Sequence, residues 1–142
     1  MLGLLLGCGL RRSEVVGLRL DQLQLREGHW VIVDLVCKGG RIRTVPVQAW
    51  CKALVDCWIR HSDVREGRVF RRNLKNGTRR DDGVTANAVW YAVKRCARQA
   101  SIENLAPHDL RRSCARLCHG SGGELEQIQF LLGHASVQTT ER

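Results

Sequence analysis

Hydrophobic residues recur at helical spacing along most of the chain. The first six residues are almost all apolar and stop at Gly7 and Gly9, which predicts the end of a buried helix. A last helix capped by Ser136 is also predicted. The helices predicted between these two lie at residues 12–20, 51–61, 85–100, 107–120 and 125–132.

Local signals at the helix ends support these bounds. Thr85 suits an N-cap, and Val84 and Val89 are spaced to pack together beside it. Pro107 suits a first helical turn, and Gly133 suits the end of a helix. Two helices carry an apolar stripe that predicts packing on the core. These stripes are Cys51, Leu54, Val55 and Trp58 in one helix, and Leu110, Cys114, Leu117 and Cys118 in the other.

Two segments near the middle of the first half read as strands. Residues 29–36 are rich in β-branched side chains, and residues 41–47 alternate basic with β-forming residues. The Lys-Gly-Gly sequence at 38–40 between them predicts a turn, and hence a β-hairpin. Residues 68–80 predict a basic connecting loop, in which Val69 and Phe70 form a short strand. The fold class is therefore mainly α with a small antiparallel hairpin or three-stranded sheet.

The amino-acid composition indicates what kind of molecule the protein binds. The 142 residues fit one domain, and 23 Lys and Arg against 14 Asp and Glu give a net charge of +9. That excess of positive charge favours a polyanion, with nucleic acid first, although a basic protein of another class remains open. Seven cysteines, an odd and scattered set, predict reduced thiols in a cytoplasmic protein rather than disulfides. No metal, cofactor or membrane association is predicted.

His108 and Arg111 share one face of the helix that begins at Pro107. Near a helix N-terminus, backbone N–H groups and the helix dipole also favour an anion, so the pair could hold a phosphate. Taken alone, the spacing is a weak signal, because a histidine beside an arginine on a helix surface is more often simply solvated. A functional role for this pair therefore depends on the motifs elsewhere in the chain.

Four strings occur in order along the chain: GCGLRRSEV, CKGGRIRTVPV, PHDLRRSCARL and LLGHASVQTTER. Together they closely resemble the tyrosine recombinases of the phage-integrase family. The resemblance implies the catalytic-domain fold of that family and double-stranded DNA as the partner, with self-association into a tetramer on DNA. The active-site residues that it implies are Arg11, Lys38, His108, Arg111 and His134, with Glu14 supporting Arg11.

The resemblance also implies how these residues act. Two arginines neutralise the charge that builds on the scissile phosphate, without a metal. His108 assists proton transfer at the nucleophile, Lys38 protonates the departing 5′ oxygen, and His134 hydrogen-bonds the phosphate. A tyrosine attacks and forms a 3′-phosphotyrosyl intermediate, so that DNA strands are cleaved and rejoined. The residues predicted to contact DNA outside this set are Arg41, Arg43, Arg71, Arg72, Lys75, Arg79, Arg80 and Arg112.

The chain departs from the family pattern at the nucleophile. The family tyrosine follows the last histidine by about nine residues, and the chain ends at Arg142, one position short of that. Tyr91, the only tyrosine, reads as a packing or surface aromatic. We therefore expect an incomplete catalytic domain over residues 1–142, truncated at both ends. The hypotheses are a fragment of an active site-specific recombinase, an inert DNA-binding remnant, or a helical interaction domain.

Overall fold

In the computed structural model, residues 1–37, 40–73 and 79–133 are described. Helices and strands alternate irregularly along the chain, with most strands in the first half. The helices are α1 Leu2–Gly7, α2 Arg12–Gly17, α3 Ala49–Ser62, α4 Ala86–Gln99, α5 Pro107–Gly120 and α6 Leu125–Leu132. The strands are β1 Leu23–Arg26, β2 His29–Val36, β3 Ile42–Pro46, β4 Arg71–Asn73 and β5 Arg79–Gly83, and a 3₁₀ turn spans Leu20–Gln22.

The predicted hairpin is confirmed, and a further strand joins it. Strands β1, β2 and β3 form one antiparallel sheet in that order. A two-residue turn joins β1 to β2, in which Glu27 (φ 49°) and Gly28 (φ 77°) both have the positive φ that tight hairpins require. The predicted turn at 38–40 lies mostly outside the described residues.

A β-bulge in β2 shifts the pairing of that strand with β3. Ile32 pairs with Val45, and the next pair inward of the bulge is Leu35 with Arg43, so two residues of β2 stand opposite one residue of β3. Asp34 lies in the bulge with φ 54°. Because side chains alternate along β3, Arg43 lies on the same buried face as Val45. This placement matters for the site described below.

The predicted helices are present, with small changes at their ends. Helix α2 stops at Gly17 rather than residue 20, and α3 begins at Ala49. The predicted cap of α4 is confirmed, since Thr85 Oγ1 accepts a hydrogen bond from the Ala88 backbone N–H at 3.1 Å. Ser136, predicted to cap a last helix, lies outside the described residues. No described helix is long and apolar enough to cross a membrane.

Leu4 and Leu5 of α1 are fully buried in a core that α3 and α5 help to form. Three residues predicted to face the core are exposed instead: Leu54, Trp58 and Leu117. Leu117 lies on the same face of α5 as Leu110, seven residues away, but only Leu110 is buried. The helical spacing therefore did not predict how far along α5 the apolar face is covered.

The segment after α3 also differs from its prediction. Val69 and Phe70 lie outside the strands and are buried in the core. The ring of Phe70 also packs on that of Trp58, the side chain of which is 38% exposed, with ring centroids 5.7 Å apart. The strands come later, as the β4–β5 pair. Burial of an apolar pair does not by itself require strand pairing, so the apolar dipeptide was a poor strand signal.

Candidate active site

Arg11 is held at the start of α2 by contacts at both ends of the residue. Its backbone N–H donates to Glu14 Oε2 at 2.7 Å, which satisfies a donor at the helix N-terminus. Its side chain donates from Nη1 to Glu14 Oε1 at 3.0 Å and from Nη2 to the Gly133 carbonyl at 3.1 Å. The Arg11 guanidinium is therefore fixed in direction while 28% of its side chain stays exposed.

Glu14 is the buried acceptor at the centre of this arrangement, with 4% of its side chain exposed. Besides Arg11, it accepts two hydrogen bonds from Arg43, at 2.9 Å and 3.0 Å. Burial alone would raise the pKa of the Glu14 carboxyl. Hydrogen bonds from Arg43 and the Arg11 backbone, together with both positive charges, outweigh burial and hold the pKa below its ordinary value.

Arg43 was predicted to contact DNA, and the structure places it inside the protein instead. Its side chain is 8% exposed, because the alternation of side chains along β3 turns it toward the core. There Nη1 also donates to Cys37 Sγ at 2.5 Å. We therefore leave Arg43 out of the proposed DNA-contacting residues.

Arg111 is likewise an interior arginine, with 4% of the residue exposed. Its two terminal nitrogens donate to the carbonyls of Gly9 and Leu132. Burial, followed by the positive charge of Arg11, lowers the pKa of Arg111 to about 10, so the group stays charged at neutral pH. The sequence predicted that Arg111 and His108 project together, but only His108 is exposed.

Two glycines make the carbonyl contacts of the arginines possible. Gly9 has φ 58° and Gly133 has φ 61°, a region that residues with a Cβ rarely adopt. A Cβ at Gly9 would lie 2.6 Å from Leu132 Cδ2, and one at Gly133 would lie 2.8 Å from Arg43 Nη1. Both backbone conformation and space therefore favour glycine at these positions.

Arg11, His108 and Arg111 line one open cavity of about 460 Å³, which we call the arginine cavity. It lies where α2, α4 and α5 begin. Arg12, Ser13 and Trp90 complete its polar and aromatic lining. Trp90 was not predicted as a site residue, since an aromatic residue on a helix gives no signal of which cavity it borders.

The sequence profile of the Phage integrase family matches residues 1–142, the whole chain. The chain belongs to the phage integrase family. Tyrosine recombinase XerD of Ralstonia nicotianae is 37% identical and aligns with 99% of the chain but 46% of its own length. Tyrosine recombinase XerC of Pseudomonas syringae pv. tomato is 34% identical over 97% of the chain and 44% of its own length. The chain thus spans less than half the length of these curated relatives.

Two solved recombinase structures share the fold of the chain. The crystal structure of XerA recombinase matches with a TM-score of 0.81 and 24% identity, over 98% of the chain and 49% of XerA. The pre-cleavage complex of XerH with its difH substrate matches with a TM-score of 0.79 and 25% identity, over 99% of the chain and 40% of XerH. The predicted fold, a mainly helical tyrosine recombinase catalytic domain with a three-stranded sheet, is confirmed.

The structure describes only some of the other residues predicted to act on or contact DNA. Lys38, His134 and Lys75 lie outside the described residues, and for Arg79 and Arg80 only the backbone, in β5, is described. Arg71 is half-buried and donates to the backbone carbonyls of Arg68 and Glu66. Three other predicted DNA contacts have exposed side chains: Arg41, Arg72 and Arg112.

Proposed function

We propose that the protein acts in site-specific DNA recombination and that the arginine cavity binds the scissile phosphodiester. The observation that carries the proposal is that Arg11 and Arg111, far apart in sequence, line the same cavity as His108. Membership of the phage integrase family, whose relatives here are named tyrosine recombinases, supports the same conclusion.

The two arginines have donors to offer a phosphate. A guanidinium has five N–H groups. Among the described residues, Arg11 and Arg111 each direct two hydrogen bonds from the side chain to protein acceptors. The remaining donors suit the non-bridging oxygens, where negative charge grows as the phosphodiester is attacked. Fixed donors need no rearrangement at that moment, which is why their tethering favours catalysis.

The other steps rest on family positions. His108, at the exposed start of α5, assists proton transfer at the nucleophile, Lys38 protonates the leaving 5′ oxygen, and His134 hydrogen-bonds the phosphate. The attacking tyrosine is not Tyr91, whose 63% exposed side chain stacks edge-on against Trp90 at 5.1 Å. The proposed reaction therefore needs a tyrosine from outside these 142 residues.

Double-stranded DNA is the proposed partner. The net charge of +9 and the exposed side chains of Arg12, Arg41, Arg72 and Arg112 supply cations for phosphate contacts. We further propose that copies of the protein assemble on DNA, as the family resemblance implies, and that they do so in the cytoplasm, where the seven unpaired cysteines would stay reduced.

Covalent trapping tests the proposal. The product of the complete source gene is mixed with a library of nicked suicide duplexes of randomised sequence, and DNA that stays bound to protein in SDS is recovered. The proposal predicts adducts, because the nick lets the cleaved fragment leave and prevents rejoining. Arg11→Lys should abolish them, since a lysine cannot offer a planar fork. Arg65→Lys is the matched control, since Arg65 is exposed and pairs only with Asp63 among the described residues.

A DNA-binding protein without cleavage activity is the second candidate. Tyr91, the only tyrosine in the chain, does not line the arginine cavity, and this observation favours the second candidate. This candidate predicts DNA binding that weakens steeply with salt, and no adduct. Adducts that depend on Arg11 would exclude it, and affinity indifferent to salt would contradict both candidates.

A further inference from the structure

We infer that Arg43 is a positioning residue of the proposed phosphate site, which acts through Glu14 to hold Arg11 in place. The inference rests on the proposed function, because it assigns a role in the same cavity. Arg43 does not line the arginine cavity itself. Its influence on Arg11 has to pass through the carboxylate that the two arginines share.

The hydrogen bonds show how that influence is transmitted. Each oxygen of Glu14 accepts one bond from Arg11 and one from Arg43: Oε1 from the two Nη1 atoms, at 3.0 Å and 2.9 Å, and Oε2 from Arg11 N and Arg43 Nη2, at 2.7 Å and 3.0 Å. A bidentate arginine fixes the plane of a carboxylate. With that plane fixed, the lone pairs that receive Arg11 have one direction.

Arg43 is itself held firmly enough to serve as a reference point. It extends from the buried face of β3, its Nη1 also contacts Cys37 Sγ, and its Nε is buried with no hydrogen-bond partner in the described structure. A desolvated guanidinium depends strongly on its carboxylate, since unpaired burial of either charge is costly. Arg43 and Glu14 therefore fix each other, and Arg11 is attached to a rigid pair.

This role differs from simple stabilisation in its dependence on pH. The charged groups that act on Glu14 are Arg11 before α2, Arg43 of β3 and Arg111 of α5, and the Cys37 thiol, directly after β2, lies beside Arg43. Without Arg43, burial has one bonded cation fewer to oppose it, so the pKa of Glu14 rises. Protonated Glu14 holds Arg11 less well. A variant lacking Arg43 should therefore lose more cleavage activity than the wild type as pH falls.

The test measures single-turnover adduct formation at saturating DNA, together with DNA affinity, for the complete gene product at pH 6 and pH 8. Arg43→Met should slow cleavage by about 10–100-fold, the usual effect of losing an outer-sphere partner, with a larger loss at pH 6. DNA affinity should change much less. Arg43→Lys should recover part of the rate and of the pH profile, and exposed Arg65→Met should behave as wild type.

A second measurement keeps the inference separate from the proposed function. In ¹⁵N NMR, the Arg11 guanidinium signal should be protected from exchange in the wild type and in Arg65→Met, and should lose protection in Arg43→Met. If the wild type forms no adduct, the proposed function fails, and this signal still tests positioning. Unchanged Arg11 protection, or a cleavage loss of equal size at both pH values, would overturn the inference. If Arg43→Met does not fold, Arg43→Lys carries both measurements.

Discussion

Replacement of Glu14 by glutamine should remove the support of two arginines with almost no change in side-chain shape. The amide keeps one oxygen acceptor but turns an NH₂ group toward guanidinium donors, so about half of the four hydrogen bonds to this side chain are lost. It also leaves the buried Arg43 without a counter-charge. Breaking a buried pair in this way costs about 3–5 kcal/mol.

Glu14→Gln should therefore lower the free energy of unfolding in urea by about 3–5 kcal/mol at pH 7, and the melting temperature by roughly 10–15 °C. The effect should shrink with acid. The pKa of Glu14 is lowered in the folded protein, so its contribution is complete above its ordinary value of 4.5 and is lost as pH falls through the folded value. The wild type thus loses this contribution in acid, whereas the variant has none to lose.

Urea unfolding followed by circular dichroism, from pH 3 to pH 8, measures both effects. Glu103→Gln is the matched control, because Glu103 is exposed between α4 and α5. Its unfolding free energy should stay within about 0.5 kcal/mol of the wild type. A loss below about 1 kcal/mol for Glu14→Gln, within the usual range for a surface substitution, would refute the reasoning. So would a difference from wild type that stays constant below pH 4.5.

Three further outcomes are expected. In urea unfolding, Gly133→Ala should destabilise the protein by about 1–3 kcal/mol, because Gly133 has a positive φ and an added Cβ would contact Arg43. The control is Gly17→Ala, in open space at the end of α2, which should cost nothing or stabilise the protein by up to about 1 kcal/mol. Arg111→Lys should abolish covalent trapping and lower the melting temperature, because lysine cannot reach the Gly9 and Leu132 carbonyls together. In fluorescence anisotropy, Arg72→Gln should weaken DNA binding and reduce the salt slope by about 1, as expected for one phosphate contact.

Helix positions followed from the sequence because caps and apolar spacing are local. Thr85 caps α4 as predicted, and Gly133 ends α6 with positive φ. The sequence did not predict which residues of an apolar helix face are buried. Leu117 has the right phase for burial on α5 but is 61% exposed. No local pattern in α5 shows which of its turns other elements cover.

The candidate site shows the same limit. Ordered motifs identified Arg11, His108 and Arg111 as members of one set, and the structure brings these three to one cavity. The interior position of Arg43 was missed because a basic residue on a strand was assigned to DNA. Its phase with the apolar Val45 was a usable signal, since a charge that alternates onto a core face needs a buried partner. That partner, Glu14, lies 29 residues away.

The tethers of the two cavity arginines also have a consequence for the folding pathway. Arg11 reaches the carbonyl of Gly133 across 122 residues, and Arg111 reaches that of Gly9 across 102. Contacts of such separation require distant parts of the chain to be brought together, which costs chain entropy. A nascent chain still emerging from the ribosome has Arg11 but not yet Gly133, whose carbonyl aims it. The arrangement of both arginines in the arginine cavity therefore depends on parts of the chain that are synthesised after both of them.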